Sequence, residues 1–120
     1  MTSTSPETSP ARVECVQGIP VVVISGRLDT HTAPAFDVQA AQMMAEKHAR
    51  VLLDLSGVTF ISSAGLRSIL QIIKHTNRSG GRTGIFSVPE QILEAIEISG
   101  FQPLLDIFPD RETALNGSSV

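Results

Sequence analysis

Between residues 51 and 70 the hydrophobic period of the chain changes once. Val51-Leu52-Leu53-Asp54-Leu55 is an almost unbroken apolar run, the pattern of a strand covered on both faces. Ser56-Gly57 punctuates it. Val58 and Phe60 are expected to point inward across a short loop. Leu66, Ile69, Leu70 and Ile73 then recur at spacings of three and four, the period of an amphipathic helix. Ser62-Ser63-Ala64-Gly65 stands between the two patterns, so a serine pair is expected at a helix start just past a buried strand. That helix should run to about Asn77, where Gly80-Gly81 ends it. Its opposite face would carry Arg67, Ser68, Gln71, Lys74 and His75. Ile72 falls at the edge of the apolar stripe and is a candidate docking contact.

The same reading extends along the rest of the chain. Residues 1–11 are mostly Ser, Thr and Pro and are expected to form a flexible leader. Residues 12–17 read as a strand with Val13, Cys15 and Gln17 on one face. Gly18 turns the chain into a second strand over residues 19–26, rich in Val and Ile, so the two should pair as an antiparallel hairpin. Thr32 is placed to cap a helix with Pro34 in its first turn. Phe36, Ala40, Met43 and Met44 would line its buried face as far as about His48. Residues 82–87 read as a short strand around Ile85-Phe86. Pro89 opens a helix with Ile92, Leu93 and Ile96 inward, ending at Ser99-Gly100. Residues 104–108 are expected to form a last strand and residues 110–115 a last helix, with residues 116–120 expected to fray. The order β-β-α-β-α-β-α-β-α predicts a single α/β domain over residues 12–117, flanked by flexible ends at 1–11 and 118–120. Its small mixed, mostly parallel sheet would have about four or five strands and about four helices.

Composition narrows the function. The 120 residues are 42% hydrophobic and 18% charged, which suits one globular domain with a mainly aliphatic core. Net charge is −3 and the basic residues are dispersed, which argues against a nucleic-acid partner. No signal-peptide pattern and no membrane-spanning run is present, so a cytoplasmic chain without a membrane partner is expected. Cys15 is the single cysteine, expected to be a small buried hydrophobe.

A serine at a helix start meets unpartnered backbone N–H groups and the positive end of the helix dipole. It can be an ordinary cap, or it can carry a phosphate, which such a position tolerates. Asp29 and Asp54 lie near strand ends and could approach it. No Gly-x-Ser-x-Gly elbow, P-loop or clustered metal ligands appear, and His31, His48 and His75 are isolated. A serine hydrolase is therefore the weaker reading; no catalytic residue, metal site or cofactor is expected.

Three segments resemble the STAS domain of bacterial anti-sigma-factor antagonists. Ser25-Gly26-Arg27-Leu28-Asp29-Thr30-His31-Thr32-Ala33 looks like the family's strand ending in Gly-x-Leu-Asp before a helix. The stretch from Val51 to Leu66, with Ser62-Ser63-Ala64-Gly65-Leu66 at its end, looks like its phosphorylation motif. Ile98-Ser99-Gly100-Phe101 looks like its later helix end. The family's regulated serine lies two residues before the Gly of the Gly-Leu pair, which is Ser63 here. The residue before it, often Asp in the family, is Ser62, which leaves Ser62 as the alternative phosphorylation site. Asp29 matches the family's Asp beside the phosphorylated serine and is expected to hydrogen-bond Ser63 or its loop.

The resemblance implies partner switching in transcription regulation. The unphosphorylated chain, a monomer or weak dimer, would bind an anti-sigma factor that is itself a serine kinase and so release the sigma factor. Phosphorylation at Ser63 would end that binding, and a metal-dependent serine phosphatase would restore it. The expected partner-binding residues are Asp29, Thr30, His31, Ser62, Ser63, Ala64, Gly65, Arg67 and Ile72. The alternative is a stand-alone STAS module serving a transport or stress-signalling complex as a non-switching scaffold.

Overall fold

The computed structural model describes residues 10–117. The elements follow in the order β1 (Ala11–Val16), β2 (Ile19–Leu28), α1 (Ala33–Met44), β3 (Arg50–Ile61), α2 (Ser63–Arg78), β4 (Arg82–Phe86), α3 (Glu90–Ile98), β5 (Leu105–Phe108) and α4 (Arg111–Asn116). A 3-10 turn at Gln102–Leu104 precedes β5. The predicted order of strands and helices is the one found. Residues 1–9 and 118–120, on which most of the expected leader and the frayed end fall, lie outside the described residues. Ala11, assigned to the leader from the sequence, is the first residue of β1, and Asn116, expected to fray, is the last residue of α4.

The five strands form one sheet in the order β1-β2-β3-β4-β5. The β1–β2 pair is antiparallel and the other three pairs are parallel. The hairpin turn holds both Gln17 and Gly18 at positive φ, 55° and 78°. That conformation matches the twist of the flanking strands. Because strand order rises monotonically, right-handed crossovers place α1, α2 and α3 on one face of the sheet. There Phe36, Ile69, Ile72, Ile73, Ile92 and Ile96 meet Val22, Ile24, Val51, Leu53, Leu55 and Ile85 in the main core. The other face is covered at its centre by α4, where Ala114 packs on Val21, Leu52 and Phe86.

Several expectations are corrected by this packing. Ser56-Gly57 does not end a strand: β3 continues to Ile61 because β2 itself runs on to Leu28 and keeps pairing with it. The β2–β3 register shifts twice, each time by one extra residue in β3. Each extra residue reverses which side chains face the core. Leu53 and Leu55 point inward, then Val58, then Ile61, which leaves Phe60 exposed.

Ile72 is not an edge residue but fully buried, and Ser68 is also buried rather than on the polar face. The reason is Gly65. At that residue α2 approaches β2 so closely that a Cβ would collide with the carbonyl of Leu28. With that contact the buried face of α2 comprises Gly65, Ser68, Ile69, Ile72, Ile73 and Thr76, and Leu66 and Leu70 are left half-buried. The Ser68 hydroxyl donates to the Ala64 carbonyl at 3.3 Å, so its burial leaves no orphan donor.

Cys15 is exposed. It sits on the edge strand β1 and, with Val13, borders an open groove beside Gln39, Gln42 and Met43 of α1. Helix α1 stops at Met44, before the expected His48.

Candidate functional site

The parallel strands β2 and β3 end together, and α2 begins at once after β3. Ser62 has extended backbone angles, φ −95° and ψ 177°, and is the N-cap of α2; Ser63 is the first helical residue. The Ser62 N–H donates to the Leu28 carbonyl at 3.0 Å. Its Oγ accepts from the Gly65 N–H at 3.2 Å, and its carbonyl accepts from the Leu66 N–H at 2.8 Å. The start of α2 is thereby tied to the end of β2. Ser63 is exposed, and its hydroxyl makes no hydrogen bond among the described residues. The two serines, equivalent by spacing, are thus unlike in structure: one hydroxyl is engaged as a cap and the other is presented to solvent.

Asp29 directs its carboxylate into its own turn and not to Ser63 or the serine loop, contrary to expectation. Oδ1 accepts from the backbone N–H of His31 at 3.0 Å and of Thr32 at 3.2 Å, and Oδ2 accepts from Arg27 Nε at 3.1 Å. Thr32 Oγ1 accepts from the Asp29 N–H and donates to the Arg27 carbonyl, both at 2.9 Å. Thr32 is the N-cap of α1 by position, but its side chain braces the preceding turn and makes no cap hydrogen bond to the helix. Thr30 and His31 are exposed on this turn, at the same end of the sheet as the serine pair.

Partial burial pushes the Asp29 carboxyl up, but the Arg27 side chain and the Thr32 and His31 N–H groups outweigh it and hold the carboxyl below the usual range. A depressed folded-state value means the stabilisation is present above the unfolded value of about 3.9 and is lost as pH falls through the folded one. Acidification below that range should therefore loosen the turn, seen by NMR as His31 and Thr32 amide shifts that follow the Asp29 carboxyl. Asp29→Asn should abolish that titration; amide shifts that titrate unchanged in the variant would contradict the assignment.

Two features beside the serines were missed from the sequence. Phe60 is exposed three residues before Ser63, and the Arg27 guanidinium lies 4.2 Å from its ring centroid. Arg27 also pairs with Asp29, so a cation, a ring and a carboxylate form one assembly. The phase reversal in β3 exposes Phe60, and nothing in its composition signals it. On the other side, a groove lined by Ser63, Leu66, Arg67, Leu70, Gln71, Lys74 and Phe101 runs along α2. The Lys74 Nζ lies 5.8 Å from the Phe101 ring centroid.

Of the expected site residues, Asp29, Thr30, His31, Ser62, Ser63, Ala64, Gly65 and Arg67 gather at this end of the sheet, whereas Ile72 belongs to the core. Asp54 is elsewhere. It lies within β3, with Oδ1 accepting from the Ser56 N–H and hydroxyl and Oδ2 3.5 Å from Arg111 of α4. Neither serine of the pair is hydrogen-bonded to a histidine among the described residues. No group of three or more metal-ligating side chains, and no helix long and apolar enough to cross a membrane, occurs among them either. What the arrangement offers is a presented hydroxyl beside a mixed apolar and cationic surface.

A family model described as STAS domain matches residues 10–114. BtrV of Bordetella bronchiseptica is 28% identical over 99 residues, spanning 82% of this chain and 85% of that protein. The anti-sigma F factor antagonist of Paenibacillus polymyxa is 27% identical over 105 residues, spanning 87% of this chain and 90% of that protein. Among solved structures, an anti-sigma factor antagonist from Mycobacterium paratuberculosis superimposes with a TM-score of 0.78 at 27% identity, covering 88% of this chain and 89% of that one.

Proposed function

The chain belongs to the STAS domain family, and within it we propose an anti-sigma-factor antagonist controlled by phosphorylation of Ser63. The observation that carries this reading is the division of labour between the two serines. Ser62 Oγ is committed to the Gly65 N–H, whereas Ser63 Oγ is exposed and unbonded among the described residues. The unphosphorylated chain, as a monomer or weak dimer in the cytoplasm, docks on a serine-kinase anti-sigma factor. Its docking surface comprises the Ser63 end of α2, the Asp29–His31 turn and the Arg27–Phe60 assembly. The sigma factor is thereby released.

In the kinase reaction, the Ser63 oxygen bonds to the γ-phosphorus of ATP as the bond to the ADP oxygen breaks. The hydroxyl proton passes to a base on the kinase, and ADP leaves. This chain supplies only the nucleophilic oxygen and is a substrate, not an enzyme. The added phosphate brings nearly two negative charges. At the first turn of α2 the backbone N–H groups and the helix dipole make that charge tolerable for the fold. On the docking surface the same charge repels and must be desolvated, so the complex separates. A metal-dependent serine phosphatase resets the cycle.

The direct test is phosphorylation by the partner kinase with ATP. Ser63→Ala should abolish phosphate transfer. Ser62→Ala should lose about 1 kcal/mol of stability with the N-cap yet remain a substrate. Transfer to Ser63→Ala at the wild-type rate would overturn the assignment.

A further inference from the structure

We infer that a phosphoryl group on Ser63 is received by the guanidinium of Arg67, so that phosphorylation also withdraws this cation from the Ser63 end of the docking surface. The inference rests on the reading of Ser63 as the phosphorylated residue and assigns what that phosphate touches. Ser63 and Arg67 are four residues apart on α2 and line the same groove. Four residues of helix rise about 6 Å, whereas Lys74, eleven residues on, lies about 16 Å away along the axis. Helical side chains lean toward the N-terminus, so Arg67 leans back toward the turn that carries Ser63. Charge points the same way. Arg67 is exposed, and the ion pairs among the described residues use Arg12, Arg27, Arg82 and Arg111 but not Arg67. No carboxylate lines the groove, and the first turn of α2 has no acidic residue to compete. Lys74 is turned toward Phe101 at the far end. A planar guanidinium four residues from a phosphoserine can form two parallel charge-assisted hydrogen bonds with it.

The functional consequence is a double change at one place. Before phosphorylation, Ser63 is neutral and Arg67 is available to an acidic side chain of the partner. Afterwards, the phosphate occupies Arg67, and the same patch carries net negative charge. A partner surface that is acidic opposite Arg67 loses its cation and meets an anion.

The test uses the full chain with phosphoserine installed at position 63 by genetic encoding, titrated by phosphorus NMR across the second phosphate ionisation. In the wild type that ionisation is expected about half a unit lower than in Arg67→Gln, because a neighbouring cation favours the dianion. Arg67→Lys should recover part of the shift, and Lys74→Gln should leave it intact. Superimposable curves for wild type and Arg67→Gln would overturn the pairing, as would an equal effect from Lys74→Gln. Because the phosphate is installed and not acquired in the cell, this result is separate from whether Ser63 is phosphorylated in vivo. Phosphosite mapping of protein from its own cells answers that question.

Discussion

Replacing Ser63 by aspartate is expected to weaken binding to the partner kinase about a hundredfold or more while leaving the fold unchanged, since misplaced like charge at an interface costs several kcal/mol. The two halves of this expectation have different origins. Ser63 is the exposed first residue of α2. An acidic side chain there interacts favourably with the helix dipole, so the domain should be unaffected or slightly stabilised. The interface has no such compensation. A docking surface fitted to a neutral hydroxyl beside Leu66 and Arg67 must desolvate the new carboxylate or separate. Calorimetric titration of the kinase with wild-type and Ser63→Asp chains, alongside thermal melts of both, reads the two halves separately. Equal affinity would remove phosphorylation at Ser63 as the switch; a collapsed melting curve would show that the residue acts through the fold.

Gly65→Ala is expected to destabilise the domain by about 3 kcal/mol, the upper end for overpacking a tight contact. Helix propensity alone predicts the opposite sign, a gain of about 1 kcal/mol for Gly to Ala within a helix. Packing decides. A Cβ at this position would lie 2.8 Å from the Leu28 carbonyl carbon and 2.9 Å from its Cγ, and closer still to the carbonyl oxygen. Backbone cannot swing aside as a flexible side chain would, so α2 must lift from β2. Lifting also stretches the 3.0 Å bond from the Ser62 N–H to Leu28 and disturbs the cap that distinguishes Ser62 from Ser63. The variant should show a lower urea midpoint and weaker kinase binding together. A stability equal to or above wild type would mean that the helix does not depend on this contact.

The order of strands and helices was legible in the chain because each element carries its own period, from the apolar run at Val51–Leu55 to the three-and-four spacing of α2. The position of the serine pair at a helix start was legible for a similar reason. The serine pair and the Gly-Leu that follows sit where a strand pattern changes to a helix pattern. What escaped depends on pairing between distant segments. Two single-residue register shifts against β2 decide that Val58 and Ile61 face the core and Phe60 faces solvent. An extra residue in a strand leaves no compositional trace. Ile72 was misplaced because the face of α2 is set by one backbone contact at Gly65 rather than by the centre of its apolar stripe. Asp29 lies beside the serine loop through the backbone of Leu28, but its carboxylate is claimed by Arg27, His31 and Thr32 of its own turn. Cys15 has the neighbours of a buried residue in sequence and the exposure of an edge strand in space.

The most direct measurement compares two pools of the chain from the same cells: the fraction captured with its kinase and the fraction free of it. Phosphopeptide mass spectrometry should find Ser63 unmodified in the captured pool and phosphorylated in the free pool. Equal phosphorylation of Ser63 in both pools, or a free pool with no phosphate at Ser63, would contradict the account.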